Sequence, residues 1–517
     1  MIKLAQYEIF KISTTRLAEA NYNISLSYNQ AVINNEVVKL GSSQALRKIR
    51  EYCQYTDEQE FISEYISIHV DKKAHYKHIK RFGLYVNGKK FVRYSCGAGN
   101  ARNENVFLIR EDIYSAINTI MKCGVNNKLK LVKNKYSAYF ALTTSSSYVI
   151  SKDLNVCVIP DYTITFTHKF DYITYVEDLN DCTVERKDVE IKDYPPFDGM
   201  GVMSVECAEQ IAQDLELDYI PSACIIRNCW IKGCTATMDF KAFAEKFKVH
   251  TVKDVWGKEY DIRELDMILT ESQFKLWKGY KSWEEYHNKI LENNIQWGVA
   301  RVSPKKDKTH AFTNYQFIQV LDLSDEDVIN ICKPTVDWLK DIMGRDVMTS
   351  LLYMCGTENQ IEYDKISDPA TKALILNNQL IEDSYIKTKL TRSINKKIRE
   401  AYSGKLIVDG NFSFMLSDPF ALLQWALGLQ VTGLLKEKQY FNGFWNKRDC
   451  NRVAAMRSPL THYSEVNTLN LVNDEETNEW YKYLVDGCTI YNIYGDDTFR
   501  HADSDKTIVR LCSDTQK

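Results

Sequence analysis

The sequence is poor in linker-forming residues and lacks a zinc-binding cysteine pattern. It has 9 prolines and 21 glycines in 517 residues, so long proline-rich or glycine-rich linkers are excluded. Its 14 cysteines include no C-x-x-C pair, and the spacing of Cys224, Cys229 and Cys234 is wrong for a structural zinc site. We therefore expect scattered buried thiols in a reducing compartment.

The sequence also lacks an excess of one charge and a long apolar run. Lysine plus arginine total 66 and aspartate plus glutamate 69, for a net charge of -3. This balance excludes a wholly basic binder but allows a local basic channel. The N-terminus has no apolar signal-peptide core, and the longest apolar stretch, 420–435, contains two glutamines and is too short to span a bilayer. We expect a soluble cytoplasmic protein with no membrane partner.

Length and hydrophobic periodicity predict several domains. At about 100–200 residues per domain, the chain has room for three or four. Asn87-Gly88 predicts a hairpin within 82–94, and apolar spacing predicts a helix at 111–123 and a helical stripe at 57–69. Strand-rich segments at 155–275 and from 404 onward flank a helical segment. Within that segment, 387–399 is a basic run that indicates either a solvated helix face or a nucleic-acid track.

An acid-rich segment near residue 500 is the first candidate for chemistry. Asp496, Asp497, Asp503 and Asp505 follow an apolar strand within a few residues. Carboxylates this close repel unless a cation lies between them, and Mg²⁺ prefers such oxygen ligands. A solvated acidic turn is the alternative. Residues 494–497 (YGDD) also match palm-type viral polymerases, but the S-G-x-x-x-T-x-x-x-N segment of that class is missing from the sequence.

Several motifs, in order along the chain, resemble the double-psi β-barrel RNA polymerases. Residues 198–204 (DGMGVMS) resemble D-G-x-G-x-x-S, and 222–233 resemble S-A-x-Q-x-R-x-x-x-x-K-G, with Ile225 in place of the glutamine. Residues 457–459 and 501–505 resemble an R-x-P segment followed by an A-D-x-D-G-D metal loop. Fainter similarities occur at 95–102 and 269–275. The pattern is similar to silencing-type RNA-dependent RNA polymerases of eukaryotes and to related single-chain phage RNA polymerases.

This resemblance implies a fold class and a division into domains. The expected fold is α+β, with two double-psi β-barrels joined by a helical connector and the second barrel incomplete. A mixed α/β region would occupy 1–154, the first barrel 155–275, the connector 276–403 and the second barrel 404–517.

The resemblance also implies a template-directed RNA polymerase that uses Mg²⁺, NTPs, a nucleic-acid template and an RNA product. It makes Asp503 and Asp505 the metal ligands, Lys232 a phosphate-binding cation and Arg457 a contact to the nucleotide sugar. A further four residues would bind nucleotide or nucleic acid: Arg227, Lys275, Arg102 and Asp198. Structural roles stay open for these residues, as a surface lysine, a salt bridge or a tight turn.

The predicted metal loop departs from the family pattern where a glycine and a third carboxylate are expected. It reads Asp503-Ser504-Asp505-Lys506-Thr507. Three interpretations follow: an inactive homologue, one part of a split enzyme completed by a second chain, or a gene interrupted at the loop, which we favour. The functional alternative is a catalytically inactive nucleic-acid-binding or assembly subunit. The sequence does not distinguish a DNA from an RNA template.

Overall fold

The computed structural model describes residues 2–126, 129, 132–176, 181–356, 361, 363, 366–456, 460 and 466–495. This part of the chain has a mixed α+β fold. No helix within it is long and apolar enough to cross a membrane.

The N-terminal region is a mixed sheet with helices on both faces. Its strands are β1 (Gln6–Ser13), β2 (Asn23–Ile24), β3 (Val37–Gly41), β4 (Tyr65–His69), β5 (Leu84–Val86), β6 (Lys89–Ser95) and β7 (Asn105–Arg110), in the order β2-β5-β6-β7-β4-β1-β3. Its helices are α1 (Thr14–Glu19), α2 (Tyr28–Ile33), α3 (Gln44–Tyr52), α4 (Lys73–Phe82), α5 (Ala98–Arg102), α6 (Glu111–Lys122) and α7 (Lys133–Phe140).

Two predictions for this region have opposite outcomes. The hairpin at Asn87-Gly88 is confirmed: β5 pairs antiparallel with β6, and both turn residues have the positive φ that a two-residue hairpin turn favours. The helical stripe at 57–69 is wrong, because residues 65–69 form strand β4 between β1 and β7. A strand buried on both faces has a continuous apolar run, which periodicity does not separate from a helix.

The second sheet joins strands from 148 to 302. Its elements and the ribbons beside it are β8 (Tyr148–Val149), β9 (Val156–Ile159), β10 (Ile164–Val176), β11 (Asp181–Tyr194), β12 (Met200–Met203), β13 (Ala223–Asn228), β14 (Ile231–Thr237), β15 (Thr251–Lys253), β16 (Glu259–Asp261), β17 (Met267–Thr270) and β18 (Gly298–Val302), with helices α8 (Val205–Asp214), α9 (Phe240–Phe247) and α10 (Trp283–Glu292). The sheet order is β8-β18-β13-β14-β12-β17-β9, while β10–β11 and β15–β16 form separate hairpins.

Parallel and antiparallel pairings alternate through the centre of this sheet. Strand β12 pairs parallel with β14 and antiparallel with β17, and β17 pairs parallel with β9. These paired strands are therefore distant in sequence, and crossover connections join them. The residues of the candidate site lie on strands of this sheet, as Arg227 on β13 and Lys232 on β14 do, or beside a strand, as Asp198 before β12 does.

The helical segment after β18 has a core of its own. It contains the short ribbon β19 (His310–Phe312) with β20 (Ile407–Asp409), and the helices α11 (Tyr315–Val320), α12 (Asp325–Met343), α13 (Val347–Cys355), α14 (Pro369–Leu376) and α15 (Ser384–Tyr402). The apolar side chains of this segment form a separate cluster that includes Leu374 and Leu390. Asp383 caps α15 by accepting hydrogen bonds from the Tyr385 and Ile386 amides, so the basic run belongs to one continuous helix.

The last sheet packs against the second one. Its elements are β21 (Phe414–Ser417), β22 (Gln439–Phe441), β23 (Arg452–Met456), β24 (Val466–Leu471) and β25 (Cys488–Tyr491), with α16 (Pro419–Ala426), α17 (Gly443–Asn446) and α18 (Glu475–Trp480), and its order is β21-β25-β22-β24-β23. One apolar cluster combines Val202 and Ile268 of the second sheet with Leu416 and Ile490 of the last. The indole of Trp425 also donates to the Pro160 carbonyl at 2.8 Å.

Candidate active site

The candidate site begins at the turn before β12. Gly199 has φ +70° and holds Asp198 at the surface of this turn, where the carboxylate is exposed. The Gly199 amide donates to the Ser272 hydroxyl at 2.9 Å, and the Gly199 carbonyl accepts from the Cys234 amide at 2.9 Å. The turn is therefore fixed to both β14 and the segment after β17.

A buried glutamine holds the strands together behind this turn. The Gln273 side chain is fully buried; it accepts from the Thr270 amide at 3.1 Å and donates to the Cys234 carbonyl at 3.1 Å. A Cβ at Gly201 would lie 2.5 Å from the Ile268 carbonyl oxygen, and one at Gly233 would lie 2.6 Å from the Gly199 carbonyl oxygen. Both motif glycines are therefore required by close approach of backbone to backbone.

Three cations lie close together beside these strands. Arg227 and Lys232 are direct cross-strand partners in the β13–β14 hairpin, so their side chains are neighbours. The Lys232 amide donates to the Gln273 carbonyl at 3.0 Å, and the Lys275 amide donates to the Trp230 carbonyl at 2.9 Å. The charges of Arg227, Lys275 and Asp198 all act on the Lys232 ammonium, so the structure brings the three cations into one group beside Asp198.

The charges of this group influence one another. Partial desolvation lowers the pKa of the Lys232 ammonium, the Arg227 and Lys275 cations lower it further, and Asp198 opposes the shift. Burial lowers the pKa of Arg227, whose guanidinium donates to the Ser145 hydroxyl at 3.3 Å. None of the three cations forms an ion pair with a carboxylate in the part of the chain that the structure describes. Such a group is suited to a polyphosphate or a nucleic-acid backbone.

The hairpin turn that presents Arg227 and Lys232 is anchored in the core. Trp230 is fully buried with φ +64°, and its indole donates to the Lys122 carbonyl at 3.0 Å. The Tyr286 hydroxyl donates to the Cys229 carbonyl at 2.6 Å. A turn tied to the core in this way holds its flanking cations at fixed positions, as a preorganised binding site requires.

Sequence reasoning missed Asp161, which lies beside the same turn. Its carboxylate accepts from the Ser272 amide at 3.3 Å, although 111 residues separate the two. Burial raises the pKa of Asp161 to about 6, and the neighbouring Glu271 and Asp198 carboxylates add to the rise. The isolated sequence Pro160-Asp161 resembles an ordinary turn, so only the pairing of β9 with β17 reveals this neighbourhood.

The other predicted site residues divide into two groups. Arg102 is exposed at the end of α5 in the N-terminal region, and no described contact connects it to Lys232. Arg457, Asp503 and Asp505 lie outside the described residues, as do Asp496 and Asp497 of the palm-type alternative. Within the described ranges, no group of three histidine, cysteine or acidic side chains is arranged to hold a metal.

The approach to the predicted metal loop is described as far as Gly495. Strand β25 ends at Tyr491, and Gly495 packs against the Phe166 ring at the base of the β10–β11 hairpin so closely that a Cβ would overlap it. Gly495 therefore contacts strand β10, whose hairpin partner β11 ends at Tyr194, shortly before the Asp198 turn.

A large cleft in the described part of the molecule lies elsewhere. Its volume is about 1390 Å³, and its wall includes Asp307, Phe312, Trp338 and Lys397 of the helical segment and its ribbon. Asp307 accepts from the amide of Gly487, which precedes β25, whereas the predicted metal loop follows the other end of that strand. Of the predicted site residues that the structure describes, none lines this cleft.

Comparison with known proteins identifies the class to which this fold and site belong. A model of the RNA-dependent RNA polymerase family matches residues 39–485, which is most of the chain, and the chain belongs to that family.

Two relatives illustrate the similarity. The chain is 27% identical over 352 residues to the DNA-directed RNA polymerase YonO of Bacillus phage SPbeta, a match that covers 66% of this chain and 39% of the relative. Its fold is similar to that of RNA-dependent RNA polymerase QDE-1 from Thielavia terrestris, with TM-score 0.55 and 12% identity over 96% of this chain and 51% of the other. The described sheets therefore have the curled half-barrel fold of that polymerase. The chain spans about half the length of these relatives or less.

Proposed function

We propose that this chain is the catalytic-core portion of a template-directed RNA polymerase, a nucleotidyltransferase that joins NTPs to an RNA 3′-hydroxyl. The observation that carries the proposal is the group of Arg227, Lys232 and Lys275, which forms no ion pair with a carboxylate of the described residues. The chain belongs to the polymerase family, in which such a group is suited to phosphate. In this proposal the first double-psi barrel lies within 155–275, a helical connector follows, and the second barrel begins near 404.

The three cations bind and orient phosphate. Lys232 supplies a compact positive charge for the triphosphate or the nucleic-acid backbone, and the fork of Arg227 donates to two acceptors at once. Lys275 adds a positive charge on the neighbouring segment, and the Asp198 carboxylate lowers the net positive charge of the group. Because the hairpin turn is anchored by Trp230, these charges need little reorganisation when a substrate binds.

The residues proposed to contact the metal ion and the nucleotide sugar are those that the sequence motifs indicate. Asp503 and Asp505 would hold Mg²⁺, since carboxylate oxygens are the ligands this ion prefers. When bound, the ion activates the 3′-hydroxyl and neutralises phosphate charge. Arg457 follows strand β23 directly and would contact the incoming nucleotide's sugar. The phage relative is named a DNA-directed polymerase, so a DNA template is the first to test, with RNA as the second.

Templated NTP incorporation with Mg²⁺ tests this function. We expect Lys232→Ala to lower incorporation about a hundredfold or more, as loss of a charge that stabilises the transition state does. Lys278→Ala is the matched control, because Lys278 is an exposed lysine nearby that stacks on Trp277 outside the group. Equal and measurable rates for Lys232→Ala and its parent chain would contradict the proposed site.

The departure at Lys506 and Thr507 favours one second candidate, a catalytically inactive nucleic-acid-binding subunit. The same assay is therefore repeated with Lys506→Gly and Thr507→Asp, which restore the family pattern. Incorporation that rises in this variant supports the polymerase. Salt-dependent nucleic-acid binding with no Mg²⁺-dependent incorporation in either chain would instead favour the binding subunit.

A further inference from the structure

Helix α4 presents a row of cations on the surface of the N-terminal region. Its sequence KAHYKHIKRF contains no acidic residue. Lys73, Lys77 and Arg81 are four residues apart and exposed, so they form one stripe with charges about 6 Å from one another along the axis. Lys80 lies beside this stripe and is also exposed. We refer to these four residues as the α4 basic face.

The α4 basic face differs from the other basic helix in having no partners. None of its four cations forms an ion pair within the described ranges of the chain. On α15, by contrast, Lys387 pairs with Glu382 at 2.8 Å and Lys397 pairs with Glu400 at 2.9 Å. Lys389 also pairs with Asp368, so the basic run predicted from sequence is partly neutralised, whereas the α4 basic face has no such pair among the described residues.

This arrangement is unfavourable for the isolated helix. Like charges four residues apart destabilise a helix by about 0.2–0.5 kcal/mol per pair, and Lys73–Lys77 and Lys77–Arg81 are two such pairs. Lys73 also occupies the first turn, where the helix dipole disfavours a cation and no acidic residue compensates it. The nearest acid in sequence, Asp71, accepts from the Thr15 amide at 3.0 Å and from the Thr14 hydroxyl. A polyanionic partner would offset these costs.

The apolar side of α4 is already covered by the protein. Ile79 is buried in the cluster with Phe10, Ile68 and Leu84, and Tyr76 packs against it. Helices that bind membranes insert an apolar face into the lipid, and here that face is occupied. The side chains that adjoin the candidate site, such as Trp230, belong to a different cluster with Ile9 and Phe107. Phe10 and Ile9 point to opposite faces of β1, so α4 lies across the N-terminal sheet from the candidate site.

We propose that the α4 basic face binds the sugar–phosphate backbone of a nucleic acid at a position outside the candidate active site. The spacing of its charges and the absence of acids suit a regular polyanion, and phosphate contacts of this kind position a nucleic acid without reading its sequence. The choice of nucleic acid as the polyanion rests on the proposed function, but binding here needs no catalysis.

Salt-dependent binding tests this proposal. The variant Lys73→Gln, Lys77→Gln, Arg81→Gln is compared with the unchanged chain by fluorescence anisotropy on labelled duplex DNA and single-stranded RNA. Each phosphate contact contributes about 0.9 to the log–log salt slope on duplex DNA and about 0.7 on single strands. We expect the slope to become shallower by about two to three and the affinity to fall at least tenfold near 0.1 M salt. The probe with the larger change identifies the preferred backbone.

Two control variants separate a local effect of the α4 basic face from a general effect of charge. Lys241→Gln, Lys246→Gln, Lys482→Gln removes the same total charge from lysines that face Glu206, Glu476 and Glu479, and it should leave the slope unchanged. Lys73→Arg, Lys77→Arg, Arg81→Lys keeps the charge and should bind like the unchanged chain, and thermal unfolding verifies that all chains are folded.

An unchanged salt slope in the α4 glutamine variant, or an equal change of slope in the Lys241, Lys246 and Lys482 control, would overturn the proposal. If the α4 glutamine variant bound nucleic acid normally but no longer bound phosphatidylserine vesicles, the proposal would be overturned in favour of a lipid surface. Because Lys232→Ala tests incorporation and these variants test binding, failure of the polymerase proposal is distinguishable from failure of this one.

Discussion

Gly201 and Gly233 are the two positions at which the candidate site depends on having no side chain. A methyl group at either one would press on backbone carbonyls and on the buried Gln273 amide. We expect Gly233→Ala to lower the free energy of unfolding by about 1–3 kcal/mol, the usual cost of overpacking, and to reduce incorporation. Gly99→Ala is the control, because nothing lies within 4 Å of its Cβ position. Urea denaturation measures the free energy of unfolding of both variants. Equal stability of the two would contradict the close approach of the backbones at Gly233.

Individual residues of the site were predictable only where a motif marked them. The motif segments named Asp198, Arg227 and Lys232, and the fold brings these together. No motif singled out Gln273 or Asp161, because one glutamine or one aspartate in a turn looks in sequence like many other residues of its type. Their roles depend on the register between β9, β12, β14 and β17, which joins segments far apart in the chain.

The raised pKa of Asp161 predicts a pH dependence of stability. Its folded-state pKa, about 6, lies above its ordinary value of 3.8, so its contribution is complete below about pH 4 and is lost as the pH rises through 6. We expect Asp161→Asn to flatten the stability profile between pH 4 and 7 by about 1 kcal/mol, after allowance for solvent screening. Denaturation at pH 4.5 and 7 measures this change.

Two comparisons make the pH test specific. Exposed Asp57→Asn should leave the profile as it is. Burial also raises the pKa of Asp307 to about 6, so adding Asp307→Asn to Asp161→Asn should flatten the profile further. A profile in Asp161→Asn as steep as that of the unchanged chain would show that this carboxylate ionises freely in the folded state.

At the scale of elements, the β10–β11 hairpin couples to the segment that leads into the predicted metal loop. Gly495 lies against the Phe166 ring, so Gly495→Ala must displace one of the two. We expect this change to lower both stability and incorporation, and Phe166→Leu in the same chain to restore part of each. A double-mutant cycle should give a coupling of about 0.5 kcal/mol or more, and strict additivity would mean that the two do not touch.

Elements with local signals were predictable, and those whose form depends on burial were not. The Asn87-Gly88 hairpin and helix α6 follow from turn chemistry and apolar spacing. Strand β4 was predicted as a helical stripe because Tyr65, Ile66 and Ile68 do not alternate simply with polar residues, as is usual for a strand buried on both faces. The α4 basic face was not predicted from the sequence, because its importance rests on the absence of ion pairs among the described residues, which only the structure reveals.

At the scale of the whole molecule, the two sheets that follow the N-terminal region share a core, and this shared core positions the candidate site. Val202, Ile268, Leu416 and Ile490 pack in one cluster, so the sheet that carries the cations and the strand leading to the acidic loop share one apolar core. The family and its order of motifs could be inferred from sequence. The packing of one sheet on the other could not, because no motif encodes contacts such as that of Trp425 with Pro160.

The last prediction separates the two acidic pairs near residue 500. If the two-barrel interpretation holds, Asp503 and Asp505 hold the ion, while Asp496 and Asp497 belong only to the turn before the loop. In the chain carrying Lys506→Gly and Thr507→Asp, Asp505→Ala should therefore lower incorporation about a hundredfold or more and weaken Mn²⁺ binding, whereas Asp497→Ala should cost much less. Metal titration and templated incorporation measure the two effects independently. The opposite pattern, with Asp497 essential and Asp505 dispensable, would favour a palm-type metal site and overturn the assignment of the loop.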